Sequence, residues 1–221
     1  MKILPVILFL ASFASGAQAA VLQTYTTGTA TPTTLGGYDM TDFALTGASG
    51  TTTSILSPLS GSLSFINRYG NASPMVINQA DSVSWWNNGE AFNYDVFLTG
   101  ESLITILLPE NTRAFSFNVG ADLGSTGLNA WLNVGESTGA GLGNTMFNVN
   151  RNNTPGFGVY ADNSNGGCSA LTSVTIDPIY WGFGNFSINQ SNCVIDVPEV
   201  SSLYLFGLGL LGLLVVARRK V

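Results

Sequence analysis

The sequence contains no histidine, and this absence removes several kinds of chemistry at once. Histidine is the usual general base near neutral pH and a common zinc ligand. Without it, neither a Ser-His-Asp triad nor a histidine-ligated zinc centre can form. Residues 135–139, Gly-Glu-Ser-Thr-Gly, match the Gly-x-Ser-x-Gly nucleophile motif in residue type, but the histidine that the motif requires is missing from the sequence. We interpret these residues as a hairpin turn.

Positive charge is also scarce in the middle of the chain. Between residues 20 and 199 the cations are Arg68, Arg113 and Arg151, against thirteen carboxylates, which gives a formal charge of −10. A surface of this sign repels phosphate backbones, so we expect no nucleic-acid partner. Such a charge also helps to keep an exported protein soluble.

Cysteine is limited to Cys168 and Cys193. In an exported protein an even pair favours a disulfide, which here would stabilise the fold by about 3 kcal/mol in the chain-entropy model. Two free buried thiols are the alternative. Two cysteines without histidine cannot complete four zinc ligands, and we expect neither a metal centre nor a cofactor. Residues 162–167 resemble the start of a calcium loop but lack the EF-hand spacing, so an Asx turn is favoured over calcium bound at Asp162.

Long apolar runs are absent except at the two ends of the chain. At the N-terminus, Lys2 precedes an apolar stretch over 3–14, and residues 15–19 are small and end in Ala-x-Ala. This pattern is typical of a secretory signal peptide over 1–19, cleaved after Ala19. A first transmembrane helix is the less favoured reading, because the apolar stretch is short.

The C-terminal run covers residues 203–217 and is followed by Arg218, Arg219 and Lys220. Fifteen helical residues span about 22 Å, and a start at Val200 extends the span to about 27 Å. The hydrocarbon core is ~30 Å thick, so a single transmembrane helix fits with local thinning. The cations then remain on the cytoplasmic side. The predicted tail therefore covers 198–221.

The three parts of this tail resemble the PEP-CTERM sorting signal. The resemblance rests on Pro198 and Glu199, on the Gly/Leu-rich residues 208–214, and on the basic end. Val200 departs from it, where a second proline is usual. The resemblance implies recognition by exosortase, a membrane-embedded peptidase, and release to the cell surface or extracellular matrix of a Gram-negative bacterium. It also implies an involvement with extracellular polysaccharide. Permanent anchoring by an uncut tail is the alternative.

The segment over 20–197 is expected to form one domain of short strands separated by Gly, Asn and Ser turns. Alternation predicts strands over 59–66, 92–96, 113–119 and 128–134, with an apolar strand over 103–108 joined to the next by a hairpin at 109–112. This pattern predicts an all-β fold, an antiparallel β-sandwich or jelly roll. It resembles lectin-like sandwich domains at residues 115–117 and 182–186.

Candidate binding residues are few. Adjacent Trp85 and Trp86 should point to opposite faces of a strand, so one of them is a candidate carbohydrate contact, although a core position is the more common use of tryptophan. Glycoside hydrolysis needs only two carboxylates, and the candidates are Glu90, Asp95, Glu101 and Glu136. None of these forms a tight acidic cluster. We therefore expect a non-enzymatic binding or structural protein with no catalytic residues, and a glycosidase is the alternative.

Overall fold

We describe the protein from a computed structural model. The structure describes residues 20–25, 31–86, 94–122, 127–139, 141–149, 154–162, 168–177 and 181–192. The predicted signal peptide and tail lie outside these residues, and so do the sorting positions Ala19, Pro198, Glu199, Val200, Arg218, Arg219 and Lys220. No helix in the described part of the chain is long and apolar enough to cross a membrane.

The described residues form sixteen strands and one short 3-10 helix, Ala80–Ser82. The strands are β1 (Ala20–Tyr25), β2 (Thr34–Leu35), β3 (Tyr38–Asp39), β4 (Thr41–Asp42), β5 (Gly50–Thr52), β6 (Ser54–Leu56), β7 (Ser62–Asn67), β8 (Met75–Gln79), β9 (Asp95–Thr99), β10 (Ile104–Leu107), β11 (Thr112–Ala121), β12 (Leu128–Glu136), β13 (Leu142–Val149), β14 (Gly156–Ala161), β15 (Leu171–Asp177) and β16 (Trp181–Gln190).

Two antiparallel sheets contain most of these strands. The large sheet has the order β1-β14-β11-β16-β9-β8-β5, and β4 pairs with β16 beyond the end of β9. The small sheet has the order β13-β12-β15-β10-β7-β6, while β2 and β3 form a separate hairpin. The expectation of an all-β, sandwich-like body is therefore confirmed.

The core lies between the two sheets because alternate residues of each strand point inward. The large sheet contributes a row of phenylalanines, and the small sheet faces it with aliphatic side chains such as Ile106 and Leu132. In β11 the predicted alternation over 113–119 is observed, with Phe115, Phe117 and Val119 all inside this core. Burial of this apolar surface is the main force that holds the sheets together.

The predicted hairpin at 109–112 is wrong. Strand β10 pairs with β7 and β15 in the small sheet, whereas β11 pairs with β14 and β16 in the large sheet. The chain therefore crosses from one sheet to the other here, with Asn111 at φ 60° and the Thr112 hydroxyl donating to the carbonyl of Pro109 at 2.7 Å. Two predicted strands joined by a short turn look the same in a sequence whether they pair side by side in one sheet or face each other across a core.

Strand β11 is buried on both faces along its whole length. The β2–β3 hairpin covers part of the outer face of the large sheet, where Leu35 packs against the position of Gly158. A second apolar cluster, which contains Trp86, Tyr94 and Val96, covers another part. This outer covering explains why the polar residues between the inward phenylalanines of β11 are also buried.

Glycines on the outer face make room for the tryptophans of the second cluster. A β-carbon at Gly120 would lie 2.7 Å from Cε3 of Trp86, and one at Gly182 would lie 2.9 Å from Cη2 of Trp85. Both distances are shorter than normal carbon contacts. The indole rings therefore pack directly against the backbone of β11 and β16.

We expect Gly120→Ala to lower the free energy of unfolding by about 1–3 kcal/mol, because the added methyl overpacks the Trp86 site. Chemical denaturation followed by tryptophan fluorescence measures this change. Gly143→Ala is the matched control, since a β-carbon there meets nothing within 4 Å. Equal stability of the two variants would show that the packing of Trp86 over β11 is wrong.

Candidate functional site: the Asp95 cavity

A cavity of about 480 Å³ opens at the side of the sandwich, and we call it the Asp95 cavity. Both sheets line it, because β6 belongs to the small sheet and β8, β9 and β16 belong to the large one. Its walls are mostly apolar, from Phe43, Ala44, Ala48, Ile55, Leu56, Pro58, Ile77, Tyr94, Phe97 and Phe186, with Thr46, Thr52, Ser54, Ser57, Asp95 and Asn185 as the polar contributors.

Asp95 supplies the one carboxylate among the described residues of this wall. It is the first residue of β9 and shares the inward face with Phe97, so it is only 5% exposed. Its Oδ2 accepts two hydrogen bonds from Thr46, one from the backbone amide at 2.9 Å and one from the hydroxyl at 2.5 Å. Its Oδ1 is buried and has no hydrogen-bond partner among the residues that the structure describes.

This position corrects the sequence expectation for 92–96, in which Asp95 shares a polar face with Asn93. Tyr94 and Val96 are buried as predicted, but in the second apolar cluster on the outer face of the sheet. Asp95 therefore points inward. The signal in the sequence is the apolar run of Val96, Phe97 and Leu98, which indicates a strand buried on both faces.

A bulge in β16 places the aromatic wall of the cavity. Asn185 has φ 55°, and the register with β11 shifts at this point so that Asn185 and Phe186 together oppose one residue. The extra residue turns Phe186 inward, although it lies three positions after Phe183. Its ring stacks on Phe97 at a centroid distance of 5.6 Å and meets Phe43 edge-on at 5.8 Å.

The residues that line this cavity suit a ligand that is mostly apolar and carries a hydrogen-bond donor. An ionised carboxylate only accepts hydrogen bonds, and a buried acceptor without a partner costs free energy. A ligand hydroxyl, amine or amide placed at Oδ1 would remove that cost. Sites of this kind, with apolar walls and few polar groups, are the usual form of small-ligand pockets. A sugar ring combines hydroxyl donors with an apolar C–H face.

The tryptophan pair lies away from this cavity. Trp86 is 3% exposed and donates from its indole nitrogen to the Tyr94 hydroxyl at 2.9 Å, so it is a packed core residue. Trp85 is half-buried and lines a separate groove of about 350 Å³ with Val76 and Asp122. Trp85 is therefore the more accessible tryptophan of the two, and its role as a carbohydrate contact stays a prediction.

Of the other candidate carboxylates, neither Glu136 nor Glu101 lines the Asp95 cavity. Glu136 is 6% exposed, accepts from the Thr138 hydroxyl at 3.0 Å and lines a different pocket. Glu101 is partly buried and follows β9, and Glu90 lies outside the described residues. Among the described residues, no cluster of three or more acidic or cysteine side chains could hold a metal ion.

Two further sequence predictions can be placed on the fold. Residues 137–139 form the turn between β12 and β13, which pair as an antiparallel hairpin, so the interpretation as a hairpin turn is confirmed there, while Gly135 and Glu136 still belong to β12. Cys168 is disulfide-bonded, while Cys193 lies outside the described residues. Most of the calcium-loop candidate, residues 163–167, also lies outside them.

No family model, characterised protein or solved structure matches this chain closely enough to indicate a relationship. The function is therefore inferred from the geometry and from the sequence.

Proposed function

We propose that this chain is an exported surface or matrix protein whose body binds a sugar unit of an extracellular polysaccharide in the Asp95 cavity. A signal peptide cleaved after Ala19 exports the chain through the inner membrane, and the helix over 203–217 holds it there. An exosortase-type peptidase then cuts near Pro198 and Glu199 and releases the body to the cell envelope or matrix. The observation that supports the binding step is the buried Oδ1 of Asp95, which no described residue contacts by a hydrogen bond.

Binding is favoured over hydrolysis by the number of carboxylates in the cavity. Glycoside hydrolysis uses two carboxyl groups on either side of the scissile bond. The described wall of the Asp95 cavity supplies one, and Glu136 lines another pocket. One carboxylate can position a sugar hydroxyl but cannot provide both an acid and a nucleophile.

The fold is also compatible with export and processing at the predicted positions. Strand β1 begins at Ala20, which pairs with Ala161 at the edge of the large sheet, so cleavage after Ala19 would leave this pairing intact. The last described strand ends at Gln190, before the tail begins. A disulfide at Cys168 suits an oxidising compartment outside the cytoplasm.

The export proposal predicts a protein shortened at both ends. Intact mass spectrometry of the protein from its native host, combined with cell fractionation, should show a chain that starts at Ala20, lacks the tail and is found in the envelope or medium. Substitution of Pro198 and Glu199 by alanine should keep the tail attached. A wild-type chain that ends at Val221 in the inner membrane would contradict release and favour permanent anchoring.

The binding proposal predicts that Asp95→Asn weakens sugar binding. Loss of a charged hydrogen bond is worth about 1.5–3 kcal/mol, so we expect an affinity lower by roughly 10- to 100-fold. Calorimetry with polysaccharide fragments from the host measures this. Asp122→Asn, in the Trp85 groove, is the control and should bind normally.

Two results would overturn this assignment. Weaker binding in Asp122→Asn alone would move the sugar site to the Trp85 groove. Hydrolysis of a host glycan that disappears in Asp95→Asn would instead show an enzyme.

A further inference from the structure

A second cavity contains a buried arginine that makes no ion pair with a carboxylate of the described residues, although Glu110 also lines the cavity. Arg113 lies in β11 at a register shift, where Thr112 and Ala114 face two consecutive residues of β16. It is the extra residue of this bulge, and bulges commonly redirect a side chain. Only 3% of its surface is exposed, and it lines a cavity with Leu171 of the core and with Leu108, which packs against the core.

The guanidinium of Arg113 has very little compensation within the described part of the chain. Its Nη2 lies 3.8 Å from Sγ of Cys168, which is a weak acceptor. Its Nε is buried and forms no hydrogen bond with any described residue. A buried cation in this condition is costly, and arginines that deep in a protein normally face a carboxylate or phosphate.

The space beside Arg113 has a volume of about 390 Å³, and we call it the Arg113 pocket. Ser169 also lines it: this residue is 1% exposed, and its hydroxyl has no hydrogen-bond partner in the described part of the chain. Ser137 also lines the pocket, and its oxygen already accepts from the amide of Ala170 at 2.9 Å, which leaves its proton to donate. Three possible hydrogen-bond donors therefore line one cavity.

We propose that the Arg113 pocket binds the carboxylate of a small organic monoanion, about the size of one sugar acid. A planar guanidinium pairs with a carboxylate through two parallel hydrogen bonds, and the serine hydroxyls can donate to the same oxygens. The class is limited to one negative charge because Glu110 also lines the pocket and the whole body is acidic. This site is separate from the Asp95 cavity and does not depend on the function proposed for it.

The test uses the full chain in detergent, with glucuronate as the probe and glucose as the uncharged control of the same size. Glucuronate should raise the melting temperature and give a saturable calorimetric signal that depends on Arg113, and any signal from glucose should be the same in the wild type and in Arg113→Gln. Arg113→Gln should weaken glucuronate binding by at least tenfold, and Ser169→Ala by a smaller factor. Met146→Ala should leave glucuronate binding unchanged, because Met146 is 64% exposed and lines neither the Asp95 cavity nor the Arg113 pocket.

A measurement without ligand distinguishes a binding residue from a structural one. Arg113→Met removes the uncompensated charge but keeps the volume of the side chain, so the melting temperature of the ligand-free protein should rise by about 2–4 °C. A fall would mean that Arg113 is paired within the chain and would overturn the proposal. Tighter binding of phosphate than of glucuronate would overturn it as well. So would an affinity for glucuronate that is the same in Arg113→Gln and in the wild type.

Discussion

Replacement of Phe186 by alanine should lower the free energy of unfolding by about 3–5 kcal/mol, the usual range for a buried phenylalanine. Phe186 is 4% exposed and stacks on Phe97 and Phe115, with both centroid distances at 5.6 Å. The smaller side chain leaves a void that the rigid bulge of β16 cannot fill. Denaturant unfolding followed by circular dichroism measures the loss.

Leu56→Ala is the control for this experiment, because Leu56 lines the same cavity but is 83% exposed. Its truncation should change stability by no more than about 0.5 kcal/mol. If Phe186→Ala changed the free energy of unfolding as little as Leu56→Ala, the Phe186 ring would not be packed between the sheets. The residues assigned to the wall of the Asp95 cavity would then be wrong. If it is severe, sugar binding should be tested at a temperature where the variant remains folded.

Removal of the disulfide should produce the second large effect. Cys168 is disulfide-bonded, and the sequence contains one other cysteine, Cys193. A loop of about 25 residues contributes ~3 kcal/mol in the chain-entropy model. The double variant Cys168→Ala/Cys193→Ala should therefore melt about 6–12 °C below the wild type, which follows from ~2–4 °C per kcal/mol for a chain of this size.

Reduction supplies an independent check on the same bond. Treatment of the wild type with a reductant should bring its melting temperature down to that of the double variant, and the variant itself should not respond. If the reductant left the melting temperature of the wild type unchanged, the two cysteines would be free thiols and not a disulfide. Since Cys168 also lines the Arg113 pocket, reduction should weaken glucuronate binding there.

Much of the strand pattern could be predicted from the sequence, because alternation records which residues face the core. The prediction for 128–134 is matched by β12, in which Ala130, Leu132 and Val134 are buried. The prediction for 59–66 correctly places Leu63 and Phe65 inside, but Leu59 is 47% exposed because β7 begins only at Ser62. Leu59 satisfies the alternation although it lies in the preceding turn.

The sites could not be predicted in the same way, because they depend on contacts between distant segments. Thr46 and Asp95 are 49 positions apart and meet only because β4 and β9 lie end to end along β16. In the sequence, Arg113 looks like an ordinary charged residue at the start of a strand. Its burial results from the bulge and from the residues that line the Arg113 pocket, including Cys168. Alternation carries no information about which strands pair or about what covers the outer face.

The position of β16 has a consequence for how this protein folds. It is the last described strand in the chain, yet it lies inside the large sheet and pairs with β4, β9 and β11. The large sheet therefore cannot close until the chain has emerged as far as Gln190. Such late pairing between distant segments makes folding slow and leaves strand edges open to aggregation in the meantime. A pause at the membrane, which the proposed tail would impose just after this strand, would give the sheet time to close before the protein is released among its neighbours.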